Sequence, residues 1–364
     1  MKPPADGRRI LPEFTYEQLE KLFAEWGEPS YRAKQVWEWV YKHLADDFQA
    51  MTNLPKALRQ RLGGEFILSP LEPVEELVSE DGSTRKVLFR LQDGETIESV
   101  LMLYPKRRTV CISTQVGCPI GCAFCATGKS GFKRNLRAGE IIAQVLHFAR
   151  EMKPQVNRDE KPITNVVVMG MGEPFLNYDA TLHAIRTLND HRGFNLGARR
   201  FTISTVGIVP GIRRLAKEGL QVELAVSLHA PNDELRDRLV PINKGYPLKR
   251  LMVACREYIE QTNRRITFEY VLIDRVNDSI RHARELAALI GGMLCHVNLI
   301  AMNPVPGVPY GPPPRRRVLA FEEELRRLGI SVTLRAGRGV DIQAGCGQLR
   351  LRELSKRGAA DVKA

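Results

Sequence analysis

The sequence lacks any long apolar run, and no stretch approaches the roughly 20 residues a helix needs to cross a bilayer. Its opening residues, Met1-Lys2-Pro3-Pro4-Ala5-Asp6, carry no signal-peptide core. A cytoplasmic protein with no membrane partner is therefore expected. Low-complexity tracts are missing too, and 43% hydrophobic with 26% charged residues argues against wholesale disorder. Acidic side chains fall short: 42 Asp and Glu against 54 Lys and Arg leave a net charge of +12. Such an excess points to a polyanionic partner, nucleic acid first, although charge that merely keeps a protein soluble has the same composition. Cysteine is sparse and odd in number: Cys111, Cys118, Cys122, Cys125, Cys255, Cys295 and Cys346. With three of the seven in one loop, a disulfide framework gives way to a metal site plus free thiols in a reducing compartment.

At 364 residues the chain has room for one large domain and something smaller. Residues 1–64 read as a helical domain. Leu19, Leu22, Phe23 and Trp26 recur at the helical period over 16–26, Gly27-Glu28-Pro29-Ser30 breaks the pattern, and further helices are expected over 31–44 and after Pro55. Lys34, Lys42, Lys56, Arg59 and Arg61 make this bundle basic, either as a nucleic-acid contact or as solvated helix faces. Over 65–103 short alternating runs take over. Asp81-Gly82 and Asp93-Gly94 are hairpin signals, with strands over 86–91 and 97–102, and predict a small β linker unit.

From 104 to 341 strands and helices alternate, the pattern of βα units around a parallel sheet. Strands are expected over 109–114, 164–171, 200–205, 222–229, 266–274 and 295–302. Helices are expected over 138–152, 178–190, 210–219, 249–262, 279–291 and 315–329, with a last short strand over 331–335. The fold class is α/β: six repeats predict an open, partial (βα)6 barrel, followed by a C-terminal segment, 342–364. Arg315-Arg316-Arg317 is a second candidate basic contact.

The chemistry collects around Cys118-Pro119-Ile120-Gly121-Cys122-Ala123-Phe124-Cys125. Three thiols so spaced suit a [4Fe–4S] cluster that keeps one iron open, whereas structural zinc normally takes four protein ligands. The C-x3-C-x2-C spacing resembles the radical S-adenosylmethionine (SAM) enzymes, in which that open iron holds SAM. Ligands of βα proteins bind at the carboxyl ends of the strands. Further polar features lie there: Gly170-Met171-Gly172-Glu173-Pro174, Ser204, Ser227-Leu228-His229 and Asn303-Pro304. Each alone could be a capped turn, but together they describe one rim. Cys111 lies in the first strand and Cys346 in the loop Gly345-Cys346-Gly347. A closed barrel-like sheet would bring these two thiols to one pocket, while Cys255 and Cys295 read as packing residues.

With these features together, the sequence resembles the RlmN/Cfr family of radical SAM ribosomal RNA methyltransferases along nearly its whole length. The marks are Gly27-Glu28-Pro29-x-Tyr31-Arg32-Ala33-Lys34-Gln35, Met51-Thr52-Asn53-Leu54-Pro55, Ser113-Thr114-Gln115-Val116-Gly117-Cys118, Gly131-Phe132-Lys133-Arg134-Asn135-Leu136, Met169-Gly170-Met171-Gly172-Glu173-Pro174, Asn303-Pro304-Val305-Pro306-Gly307 and Cys346-Gly347-Gln348-Leu349. The resemblance implies that Cys118, Cys122 and Cys125 ligate a [4Fe–4S] cluster. Gly172, Glu173, Ser204, Ser227, Leu228, His229 and Asn303 would contact SAM. It further implies that Cys346 takes a methyl group from one SAM, and that a radical from a second SAM activates this S-methyl group for addition to adenine. Cys111 would resolve the adduct through a disulfide with Cys346, and Glu98 occupies the family's proton-acceptor position. The implied product is an adenosine methylated at C2 in the peptidyl transferase centre of 23S rRNA, and possible second substrates are tRNAs. The C8-methylating, antibiotic-resistance branch is the nearest rival, and a non-enzymatic metal-containing RNA-binding protein is the rival of another class. A low-potential donor such as flavodoxin or ferredoxin and a monomeric state are also expected.

Overall fold

In the N-terminal bundle, Thr15 starts α1 (Tyr16–Glu25) with a reciprocal cap: its hydroxyl accepts from the Gln18 N–H and its own N–H donates to the Gln18 side chain. The computed structural model describes residues 7–157, 159–335, 342 and 347–361. Cys346 lies outside the described residues. Helix α2 (Tyr31–Glu38) passes into a π-type turn over Trp39–His43, ended by Leu44 at φ +62°. The single helix expected to residue 44 thus changes winding after Glu38. Cations from the barrel meet the carbonyls left at this end. Lys153 Nζ donates to the Lys42 and His43 carbonyls (3.0 and 2.9 Å), and Arg150 donates to those of Leu44 and Ala45 (2.9 and 3.1 Å). The short strands β1 (Arg9–Ile10) and β2 (Phe66–Ile67) pair in parallel and tie the entry of the bundle to the end of α3 (Lys56–Glu65).

Next comes an antiparallel meander, β3 (Glu72–Val78), β4 (Thr84–Arg90), β5 (Thr96–Tyr104) and β6 (Arg107–Cys111). Gly82 and Gly94 take the left-handed conformation that the two Asp-Gly turns require. This meander is continuous with the barrel: β5 pairs with β6, and β6 pairs in parallel with β9 (Asn165–Val168). The parallel order continues through β10 (Phe201–Thr205), β11 (Glu223–Ser227), β12 (Ile266–Leu272), β13 (Cys295–Ala301) and β14 (Val332–Leu334). Sequential strands joined by right-handed crossovers place their helices on one face and all strand carboxyl ends on one rim. These helices are α5 (Ala138–Met152), α6 (Tyr178–Asn189), α7 (Val209–Ala216), α9 (Leu248–Thr262), α10 (Ile280–Ile290) and α11 (Arg315–Arg327).

The sheet is open. Both edges of β6 are taken, by β5 and β9, so β14 has no free edge there to close against. The expectation that sheet closure joins first and last strands is therefore corrected. The C-terminal helix α12 (Gln348–Asp361) makes the return instead, packing on β5 and on the short helix α4 (Ala126–Lys129). A further helix, α8 (Asp233–Leu239), stands between β11 and α9.

Candidate active site at the strand ends

The cysteine loop is bracketed by a small hairpin, β7 (Gln115–Gly117) and β8 (Phe132–Asn135). Gly117 permits this pairing: it sits at φ +78°, and a Cβ there would lie 1.6 Å from the Gly131 carbonyl oxygen. Arg134 of β8 holds Glu140 of α5 in a two-pronged pair (2.9 Å each) and reaches Asp93 at the second Asp-Gly turn. On the opposite side the Ala123 N–H donates to the Leu239 carbonyl at the end of α8 (3.0 Å). The loop is thus fastened at three points, which limits the entropy lost on taking up a ligand.

Cys118, Cys122 and Cys125 are all half-buried. Burial pushes the Cys118 thiol up to about 12, and burial with the charges of the other two thiols raises Cys122 as well. Thiols this reluctant to ionise alone, set close enough to repel one another, form a donor set that a cationic metal centre would satisfy. Among the described residues no three His, Cys, Asp or Glu side chains converge on a single-ion site. Ligands to a cubane each bind a different iron and need not converge, so the loop fits a cluster.

Beside the loop lies a cavity of about 350 Å³. Cys125, Gly172, Glu173, Ser204, Ser227, His229 and Asn303 all line it, so the rim read from the strand ends is one wall in space. Leu228 does not line it; its side chain is wholly buried and its carbonyl accepts from Arg236 Nε (3.1 Å). Gly172, at φ +105°, lies so close to Gln115 that a Cβ would sit 2.6 Å from that side chain. Glu173 is buried, and its carboxyl receives the Thr205 hydroxyl and the N–H groups of Phe175 and Val206 (2.8, 2.9 and 2.8 Å). Burial nevertheless pushes it up to about 7. The carboxyl therefore organises two strand-end loops at once, and keeps about one of its four lone-pair directions for a ligand.

His229 takes a left-handed backbone conformation, φ +61°. Its Nδ1 accepts the Val271 N–H (3.2 Å), which places any proton of the neutral ring on Nε2, and its ring meets Phe124 edge-on. Burial, then the nearby Arg236 guanidinium, holds the imidazole down to about 3. The cavity wall thus offers a neutral donor at His229 and paired hydroxyls at Ser204 and Ser227 (3.3 Å apart).

Several residues of this region carry no signal in the sequence. Arg236, with no exposed surface, donates to the carbonyls of Val206, Ser227 and Leu228 and to Asn243 Oδ1 (2.6, 3.3, 3.1 and 2.8 Å). It fixes the ends of two strands. Glu269 and Arg335 (3.6 Å apart) and Gln348 also line the cavity. Gln144 on α5 accepts from the Ser99 hydroxyl and the Ser113 N–H (2.6 and 2.8 Å), binding β5 to the approach of the cysteine loop.

Cys111 is half-buried, and burial pushes its thiol up to about 11. Glu98, on neighbouring β5, has both carboxylate oxygens engaged: Oε2 by Lys86 Nζ (2.7 Å) and the Gly347 N–H (2.9 Å), Oε1 by the Arg350 N–H (2.6 Å). The segment immediately after Cys346 is therefore held on the part of the sheet that carries Cys111. Of the basic residues, Lys34, Lys42, Lys56, Arg315 and Arg316 are exposed, whereas Arg317 pairs with Asp274 and Asp278 (3.2 and 2.7 Å) and serves the fold. No helix among the described residues is long and apolar enough to cross a membrane.

Residues 11–68 match the ribosomal RNA large subunit methyltransferase N-terminal domain, and residues 112–287 match the radical SAM superfamily. A probable dual-specificity RNA methyltransferase RlmN of Roseiflexus castenholzii is 48% identical, over 95% of this chain and 98% of its own. The corresponding protein of Symbiobacterium thermophilum is 50% identical, over 96% and 93%. A crystal structure of a radical SAM methyltransferase from Sphaerobacter thermophilus superposes with a TM-score of 0.90 at 55% identity, over 93% of this chain and 98% of that one.

Proposed function

Because the chain belongs to the RlmN family of radical SAM RNA methyltransferases, we propose that it methylates C2 of an adenosine in the peptidyl transferase centre of 23S rRNA, and of an adenosine in tRNA, in the cytoplasm. The observation that carries this reading is a shared cavity. Cys125 of the cysteine loop, the strand-end residues and Gln348, two residues past Cys346, all line it.

In this reading Cys118, Cys122 and Cys125 hold the [4Fe–4S] cluster, and Gly172, Glu173, Ser204, Ser227, His229 and Asn303 hold SAM, with Leu228 contributing through its backbone. Cluster and SAM together supply a 5′-deoxyadenosyl radical when bound. The chain's own part is position and protection. The neutral His229 Nε2–H and the serine hydroxyls suit the uncharged ribose and adenine, and Phe124, Val271 and Met302 keep water from the reacting carbon.

Cys346 is the methyl carrier. Its sulfur would take the methyl group of one SAM by displacement, with S-adenosylhomocysteine as the leaving group. Once a hydrogen atom is removed from that S-methyl group by the 5′-deoxyadenosyl radical, its carbon would bond to adenine C2. Cys111 would form a disulfide with Cys346 as the carbon–sulfur bond breaks, its proton passing to the released carbon. The adenine C2 proton would pass to Glu98 and one electron back to the cluster. Two electrons with two protons would later restore both thiols. Adenine C2 is an electron-poor carbon that does not attack a sulfonium, which is why the carbon travels on a protein sulfur. Glu98 is the proton acceptor; its three donors leave about one of the carboxylate's four lone-pair directions, on Oε1, to accept.

The basic N-terminal bundle would position the RNA through phosphate contacts while the target base is unstacked. A flavodoxin- or ferredoxin-like protein would supply electrons to the monomeric enzyme. Anaerobic protein with dithionite, SAM and an rRNA fragment tests the reading: 5′-deoxyadenosine together with methylated RNA is expected. Intact SAM over a fully assembled cluster would refute it.

A further inference from the structure

Lys86 has no exposed surface, and its Nζ stands 2.7 Å from Oε2 of Glu98, itself 2% exposed. Burying two opposite charges is unfavourable unless both find further partners. Glu98 finds them in the backbone of the C-terminal segment, through the N–H groups of Gly347 and Arg350. These belong to the first turn of α12, whose amides have no helical carbonyl to reach and favour a negative charge. The carboxylate thus joins a strand to a helix start lying about 250 residues later.

Strand register places this anchor. Lys86 of β4 pairs with Val100 of β5, and Val100 pairs with Cys111 of β6. Directly paired residues share a face, as do residues two apart on one strand, so Lys86, Glu98, Val100 and Cys111 lie on the same face. The anchored segment has no slack elsewhere. A Cβ on Gly347 would fall 2.4 Å from Thr127 Oγ1, and the buried Arg350 guanidinium reaches Glu95 and Ser130 (2.9 and 3.1 Å).

Resting on the functional reading above, we propose that Lys86 is a positioning residue for the methyl-transfer thiol. Its ammonium sustains Glu98 as a charged anchor, and the anchor fixes Gly347, the residue bonded to Cys346, to the face that carries Cys111. Without the ammonium, Glu98 is a buried charge lacking a counter-ion. The start of α12 must then open to let water reach it.

Hydrogen exchange read by mass spectrometry on the full-length holoprotein tests this. In Lys86→Met, amides over 347–351 should exchange on the order of 100-fold faster than in the parent, with β9 to β11 unchanged. Cluster content and 5′-deoxyadenosine formation should stay at parental levels, while methylation of Cys346, read as a 14 Da gain on its peptide, should slow on the order of tenfold. The double variant Lys86→Met/Glu98→Gln leaves no unpaired charge and should recover part of the lost protection. Parental protection over 347–351 in a folded Lys86→Met protein overturns the proposal. Should that variant fail to fold, the double variant decides: faster exchange there than in the parent supports the anchor, and parental protection overturns it. If exchange responds as stated but the parent never methylates Cys346, the anchor stands and the functional reading falls.

Discussion

His229 and Glu173 line the same cavity and respond to burial in opposite ways. The unfolded chain protonates His229 near 6.5 and the folded chain only near 3, so stability from this group is complete above 6.5 and falls as pH drops through that window. Glu173 keeps its proton up to about 7 when folded and loses it near 4.5 when unfolded, so its contribution falls as pH rises between those values. Denaturant melts from pH 4 to 8 should therefore show a shallower acid-side loss for His229→Gln than for the parent. Glu173→Gln should remove a decline between pH 5 and 7 worth at most about 3 kcal/mol. At the two thiols proposed to handle the methyl carbon, Cys346→Ala should abolish RNA methylation while keeping the cluster. Cys111→Ala should leave protein covalently bound to RNA on denaturing gels, and free turnover by that variant would rule out the resolving role proposed for Cys111. Ser204, Ser227, His229 and Asn303 were legible in the sequence because each ends or follows a run that reads as a strand. Gln144, Lys86 and Arg236 were not: a polar residue amid apolar neighbours shows no partner until the fold brings one, and their partners lie on other elements.

The elements that strong periodicity marks, the parallel strands and their helices, fall where alternating apolar runs place them, with ends shifted by a few residues. Helix α8 escaped because Asp233 to Leu239 carries a single apolar pair, Leu235 and Leu239, amid charge, and is held by Arg236 reaching into the strand ends. The π-type turn after α2 escaped because its carbonyls are met by Lys153 and Arg150, more than 100 residues away. The hairpin around the cysteine loop depends on one glycine. Gly117→Ala would drive a methyl group into the Gly131 carbonyl at a backbone conformation that already disfavours side chains. Iron and sulfide content should fall severalfold while far-ultraviolet circular dichroism stays near the parent. Full cluster content in that variant would mean the hairpin is not what shapes the loop.

Across the whole molecule the net charge of +12 now has a direction. Part of the basic excess is internal: Arg134, Arg137, Arg150 and Lys153 join the bundle, hairpin and barrel, and Arg317 serves α11. The exposed remainder includes Lys34, Lys56, Arg315 and Arg316. Lys34→Glu/Lys56→Glu should weaken rRNA binding and lower the slope of log K against log salt by about 1 for each phosphate no longer neutralised, leaving SAM cleavage without RNA unchanged. An unaltered slope would return these lysines to ordinary solvated charge. The way the C-terminal segment reaches the cavity was not legible, because it depends on an open sheet and on Glu98 rather than on closure of the barrel. The function proposed for this cavity is delivery of a methyl carbon to adenine C2. Anaerobic reaction of the holoprotein with SAM and 23S rRNA fragments, followed by nuclease digestion and mass spectrometry against authentic nucleosides, reads that out. The expected product is 2-methyladenosine; 8-methyladenosine, or unmodified RNA despite 5′-deoxyadenosine formation, would refute C2 delivery.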